Sequence, residues 1–165
     1  MIVIICGLPG VGKTTIAKNL APLIDASVLS TDKIRKELIL KPTYQKEERA
    51  LIYDVMILLA KYLRQSDRNC ILDATFNKEE FRNQVKKKTE CSDEEFFIVE
   101  CTCPEGLAVL RLKGRKGDYS DADVNVYKKM KEIYEPVKSE HITVDTSEDA
   151  RSNAEYIFKK IKEKT

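Results

Sequence analysis

The chain opens MIVIICGLPGVGKTTIAKNL (residues 1–20), an apolar run, a glycine-rich turn and the start of a helix in immediate succession. Ile2 to Cys6 form an unbroken apolar run, which suits a strand covered on both faces better than one with a wet side. Gly7-Leu8-Pro9-Gly10-Val11-Gly12-Lys13-Thr14 follows at once and satisfies G-x-x-x-x-G-K-[ST] in full. Thr14 onward then has the spacing of a helix. Glycines at these positions permit positive φ angles and let backbone N–H groups converge on a phosphate, at the start of a helix whose dipole favours anions. Lys13 can bridge the β- and γ-phosphates, and the Thr14 hydroxyl can ligate Mg2+. The bland alternative is a glycine-rich turn with an incidental lysine, but strand before and helix after are what the motif requires. The expected cofactors are ATP and Mg2+, held by Gly7, Pro9, Gly10, Val11, Gly12, Lys13, Thr14 and Thr15.

Working outward, short apolar runs alternate with helical periods. Strands are predicted at 2–6, 27–30, 70–74, 95–101 and 142–145, and helices near 13–22, 32–40, 46–66, 78–89, 105–112, 121–135 and 148–163. Most of the strands are continuous rather than alternating, so a parallel sheet with helices on both faces is expected: an α/β three-layer sandwich in one domain over 1–165. Asn77 to Glu80 and Ser120 to Asp123 have the spacing of capping residues followed by an acid. Lys41-Pro42-Thr43 separates the second helix from the third. The 46–66 helix is apolar over much of its circumference. Leu51, Val55, Leu58, Leu59 and Tyr62 lie on one side, with Ile52, Met56 and Leu63 nearby, and burial against the sheet is the default expectation, a dimer face the alternative.

Composition narrows the class. With 29 basic and 27 acidic residues the formal charge is +2, so any nucleic-acid contact must come from a local patch. The five cysteines (Cys6, Cys70, Cys91, Cys101, Cys103) lack C-x-x-C spacing and point to neither a disulfide framework nor a structural metal. Cys6 and Cys70 read as buried small hydrophobes, and His141 as a strand-edge residue. The apolar opening is too short for a signal peptide or membrane span, so a soluble, cytoplasmic protein with no membrane partner is expected.

The remaining motifs bear on what is done with the nucleotide. A GTPase would carry D-x-x-G after its third strand and N-K-x-D for guanine. Here the strand ends Asp73-Ala74-Thr75-Phe76, and Asn77-Lys78 is followed by Glu79-Glu80. Water-activating ATPases place a glutamate after the strand-end aspartate, where this chain has Ala74. Transfer of phosphate to something other than water is therefore the leading reading. Asp73, at the carboxyl end of a buried strand, sits where open α/β sheets bind ligands and is a candidate for metal or acceptor. Arg111 and Arg115, four apart beside Gly114 and Gly117, suit a lid over the transferring phosphoryl group, at about 105–125.

Taken together, the phosphate loop, STDKIR (30–35), ILDATF (71–76) with Arg82 beyond it, and RLKGR (111–115) followed by SDADVNVYKKMKEIYEP (120–136) resemble the kinase domain of the polynucleotide 5′-kinase family. They are similar too to a broad group of small AAA-type P-loop kinases, to which DATF is closer. The resemblance covers about residues 1–136. It implies an adenylate-kinase-like fold with sheet order 2-3-1-4-5. It makes Asp32 the general base toward the acceptor hydroxyl, accompanied by Arg35, with Asp73 and Arg82 at the acceptor and Arg111 and Arg115 as lid arginines. Catalysis would rest on Lys13, Asp32 and Arg115, and the metal on Thr14 and Asp73. The acceptor expected first is the 5′-hydroxyl of a nucleic acid, with Arg35, Lys36, Arg82 and Lys86-Lys87-Lys88 as supporting bases. A small-molecule kinase and a nucleotide-binding regulatory module with weak ATPase activity are the alternatives. Asp145-Thr146-Ser147 is the loop expected near the base of the nucleotide, and oligomeric state stays open.

Overall fold

All five residues of the first strand, β1 (Ile2–Cys6), are fully buried, and alternate side chains feed two separate cores. The computed structural model describes residues 1–114 and 123–164. Val3 and Ile5 pack with α1 (Lys13–Leu20), α5 (Glu105–Lys113), α6 (Val124–Ile133) and α7 (Ala150–Lys164), through Ile16, Leu20, Ala108, Leu112, Tyr127 and Ile157. Ile2, Ile4 and Cys6 face α2 (Thr31–Leu38), α3 (Lys46–Gln65) and α4 (Glu79–Thr89), through Ile34, Ile52, Met56 and Val85. The period-2 pleat of one wholly apolar strand thus builds the three layers.

β2 (Ala26–Ser30), β3 (Asn69–Asp73), β4 (Phe96–Thr102) and β5 (Ile142–Asp145) complete a five-stranded parallel sheet in the order β2-β3-β1-β4-β5. This is the expected order. It leaves β1 flanked by β3 and β4, so the loop after β1 opens at a topological switch point, the usual ligand crevice of such sheets. Ser30 pairs with Asp73 and Ile5 with Asp73, which brings the carboxyl ends of β2, β3 and β1 together.

Three expectations are corrected. Asn77 does not cap α4: Lys78 precedes the helix and contributes no side-chain cap, while Asn77 is buried and gives its carbonyl to Glu135 N–H at 2.8 Å. α6 starts at Val124, later than expected, with Asp123 accepting from Val126 N–H at 2.9 Å; Ser120 lies outside the described residues. On α3 the buried face is Ile52, Met56, Ile57 and Ala60, whereas Leu51, Leu58, Leu59 and Tyr62 stay exposed. The helix is apolar on both sides, so composition alone did not show which stripe meets the sheet. Cys6 and Cys70 are fully buried as expected, and burial pushes their thiols up to about 11 and about 12. Among the described residues no helix is long and apolar enough to cross a membrane.

Candidate active site

The phosphate loop is shaped by backbone conformations that side chains resist. Gly12 sits just before α1 with φ of +89°, and Gly10 has φ of +79°. A Cβ at Gly10 would lie 2.7 Å from the carbonyl oxygen of Ala108, so the loop also packs directly on α5. Lys13 turns its ammonium onto the Leu8 carbonyl at 2.9 Å. Burial holds its pKa below the ordinary lysine value, opposed by the charges of Asp73 and Asp32.

Two oxygen donors meet at the next position. The Thr14 hydroxyl donates to Oδ2 of Asp73 at 2.6 Å, joining the first turn of α1 to the end of β3. A hydroxyl and a buried carboxylate side by side at the mouth of a phosphate loop form a hard-oxygen set that fits Mg2+, which binds through one or two such ligands plus phosphates and water. Among the described residues no cluster of three or more histidine, cysteine, aspartate or glutamate side chains offers an all-protein metal site.

Asp32 lies one strand over, in the first turn of α2, two residues beyond the Ser30 that pairs with Asp73. Its side chain is 38% exposed and accepts from Arg35 Nη1 at 3.3 Å. Arg35 is itself buried, with Nε on Glu48 at 3.0 Å and its guanidinium 4.8 Å above the Tyr44 ring. Glu48 also takes the Thr43 N–H and hydroxyl at 2.6 and 2.7 Å. Arg35 is therefore pinned, and it fixes where the Asp32 carboxylate points.

On the other side of the loop, Arg111 donates through Nη1 to the Thr146 hydroxyl at 3.0 Å and through Nη2 to the Thr146 carbonyl at 2.6 Å. The Thr146 hydroxyl in turn donates to the Val11 carbonyl. The loop after β5 is thereby latched to the phosphate loop. Arg111 lies close enough that a Cβ on Gly12 would sit 3.3 Å from its Nη1. Arg115 and Gly117 lie outside the described residues.

A cleft of about 1560 Å3 joins these parts, running from Lys13, Thr14, Arg111 and Thr146 to Asp32, Asp73 and the space between α3 and α4. Arg82 does not line it. The expected acceptor role is corrected: Arg82 is wholly buried and donates to Glu79 at 3.0 and 2.7 Å, and to the carbonyls of Phe76, Glu135 and Pro136 at 2.6, 2.9 and 3.2 Å. It clasps the turn after β3 to the segment after α6. The expected basic run is also partly spent internally, Lys86 on Asp93 and Lys88 on Asp54. Unforeseen were Lys46, Arg49, Tyr53 and Lys78, all on the cleft wall. The first three fall at helical spacing on one face of α3, a signal hidden because Glu47 and Glu48 between them make the run read as an ordinary solvated helix start.

Residues 2–137 match the AAA domain family. The chain belongs to that family. Beside this AAA domain, an uncharacterised protein of Mycobacterium tuberculosis is 28% identical over 134 residues, covering 73% of this chain; the chain spans about a quarter of that relative (26%). Among solved structures, a sugar kinase from a Janibacter species superposes with a TM-score of 0.76 at 14% identity, over 96% of this chain and 92% of that one. An APS kinase of Mycobacterium tuberculosis, solved with AMPPNP and APS, gives 0.74 at 21% identity, over 98% and 96%. The AAA domain here thus has the fold of a kinase-like P-loop NTPase.

Proposed function

We propose that the chain is an ATP-dependent kinase that transfers the γ-phosphoryl group to an acceptor hydroxyl. The observation that carries this reading is the convergence of Thr14, Asp73, Lys13 and Asp32 at the carboxyl ends of three adjacent strands, with Thr14 and Asp73 in contact at 2.6 Å. Backbone N–H groups of the loop cradle the β-phosphate, and Lys13 leaves the Leu8 carbonyl to reach the β- and γ-phosphates. Mg2+ held by Thr14 and Asp73 would offset charge on the phosphate oxygens. Asp32 accepts the proton of the acceptor hydroxyl as its oxygen bonds to the γ-phosphorus and the bond to the bridging oxygen of ADP breaks. Arg35 keeps the Asp32 carboxylate in place. Arg111 lies beside Gly12, on the phosphate side. Ala74, in the position where hydrolytic ATPases carry glutamate, supports an acceptor other than water.

Of the two acceptor classes, a small molecule is favoured over a nucleic-acid 5′ end, because Arg82 is buried and Lys86 and Lys88 are paired. The 5′-hydroxyl reading keeps the support of the motif order around Asp32 and Arg35. The test is incubation with γ-labelled ATP and Mg2+ against 5′-hydroxyl oligonucleotides and a panel of small alcohols. Label on any hydroxyl, lost in Asp32→Asn, supports the kinase; release of free phosphate alone refutes it.

A further inference from the structure

We infer that the acceptor carries an anionic group besides its hydroxyl, held between α3 and α4 by Lys46, Arg49 and Lys78. This rests on the kinase reading and specifies its acceptor. Lys46 and Arg49 are the first and fourth residues of α3, and Lys78 directly precedes α4. All three line the same cleft as Asp32 and Lys13. The one carboxylate that α3 and α4 contribute to the cleft lining is Asp54, and Lys88 pairs with it at 2.6 Å. Lys46, Arg49 and Lys78 have no carboxylate partner among the described residues. Arg35, which also lines the cleft, is taken by Asp32 and Glu48. A cleft with uncompensated charge of one sign concentrates ligands of the opposite sign.

Aromatic rings line this part of the cleft as well, Tyr53 from α3 and Phe81 from α4. Tyr53 stacks on Phe81 with ring centroids 5.5 Å apart and meets Phe76 edge-on at 5.3 Å. The Tyr53 oxygen accepts the Phe76 N–H at 3.1 Å, so the ring is fixed. Cations and a fixed aromatic pair in one cleft suit an acceptor with a compact body and a phosphate, sulfate or carboxylate group. A free small anion and the first internucleotide phosphate of a 5′-hydroxyl strand share this chemistry; the small acceptor is the assignment made here.

Protein saturated with AMPPNP and Mg2+ is titrated calorimetrically with phenyl phosphate, with phenol and with a 5′-hydroxyl tetranucleotide. Phenyl phosphate should bind about ten-fold more tightly than phenol, and the combined substitutions Lys46→Ala, Arg49→Ala and Lys78→Ala should remove about that factor. All three side chains are exposed, and an unchanged unfolding temperature confirms the variant's fold. Equal binding of phenyl phosphate and phenol, or equal phenyl phosphate affinity in the variant, overturns the inference while leaving the kinase reading intact. Failure of the wild type to bind AMPPNP overturns both. A tetranucleotide that binds more tightly than phenyl phosphate, with affinity falling steeply in salt, overturns the small-acceptor assignment.

Discussion

Replacing Arg82 by methionine, which keeps the aliphatic volume but removes the guanidinium, should act on stability rather than on acceptor binding. The wild-type side chain is fully buried and makes five hydrogen bonds, two to Glu79 and three to main-chain carbonyls. Arg82→Met leaves Glu79 without its cation, retaining the Ser139 hydroxyl at 2.8 Å and the Lys138 N–H, and leaves the Phe76, Glu135 and Pro136 carbonyls without this donor. Breaking a buried pair by removing one partner costs about 3–5 kcal/mol. For a chain of this size that corresponds to a fall in Tm of roughly 10 °C, or in the urea midpoint of about 2 M. The loss should depend on pH. Burial raises the Glu79 pKa, but hydrogen bonds from Ser139 and Arg82 outweigh it and hold the carboxyl below its ordinary value. A depressed folded pKa stabilises fully above the unfolded value, and that stabilisation is lost as pH falls through the folded one. The gap between wild type and variant should therefore be widest near neutrality and shrink below about pH 4. Urea titrations at several pH values measure both. A variant within about 1 kcal/mol of wild type at pH 7, or one that folds normally and only raises the KM for acceptor, would show that Arg82 serves the substrate.

Asp32→Asn should lower turnover by about 10²–10⁴-fold, the usual contribution of a general base, with little change in ATP affinity; kcat and nucleotide binding measured on one preparation decide this. Asp73→Asn should shift the Mg2+ concentration needed for half-maximal rate upward and, because Asp73 receives the Thr14 hydroxyl, Thr14→Val should do the same; equal Mg2+ curves would remove both from the metal site. Gly10→Ala should destabilise the chain and impair nucleotide binding together, since its Cβ meets the Ala108 carbonyl at 2.7 Å in a left-handed conformation. Thermal unfolding and nucleotide titration check it.

Legibility in the sequence followed the range of the interactions concerned. The phosphate loop could be read because its function is written in contiguous backbone requirements, and the strands because a sheet buried on both faces needs unbroken apolar runs. The helix starts were less legible. Asn77 has the composition of a cap, yet the first N–H of α4, on Glu79, goes at 3.0 Å to the carboxylate of Glu135, 56 positions away, so a tertiary contact takes the place of the local one. On α3 two apolar stripes competed, and only the position of the sheet settled that Ile52, Met56, Ile57 and Ala60 go inward while Leu51 and Tyr62 do not. The Arg111 and Thr146 latch joins residues 35 apart and could not be read from either segment.

The α/β architecture and the nucleotide loop with Lys13 and Thr14 could be read along the chain, because each follows from a local pattern or a motif of fixed spacing; Asp73 was singled out by its place at a strand end, and Asp32 by the resemblance to a kinase family. Only the tertiary structure decided which charges are available. Arg82, Lys86 and Lys88 look in sequence like Lys46, Arg49 and Lys78, with a charge near a helix start or along a helix. Folding gives the first three carboxylate partners and leaves the second three facing the cleft, since whether a charge is neutralised depends on what lies within a few ångströms in space and not on its neighbours along the chain.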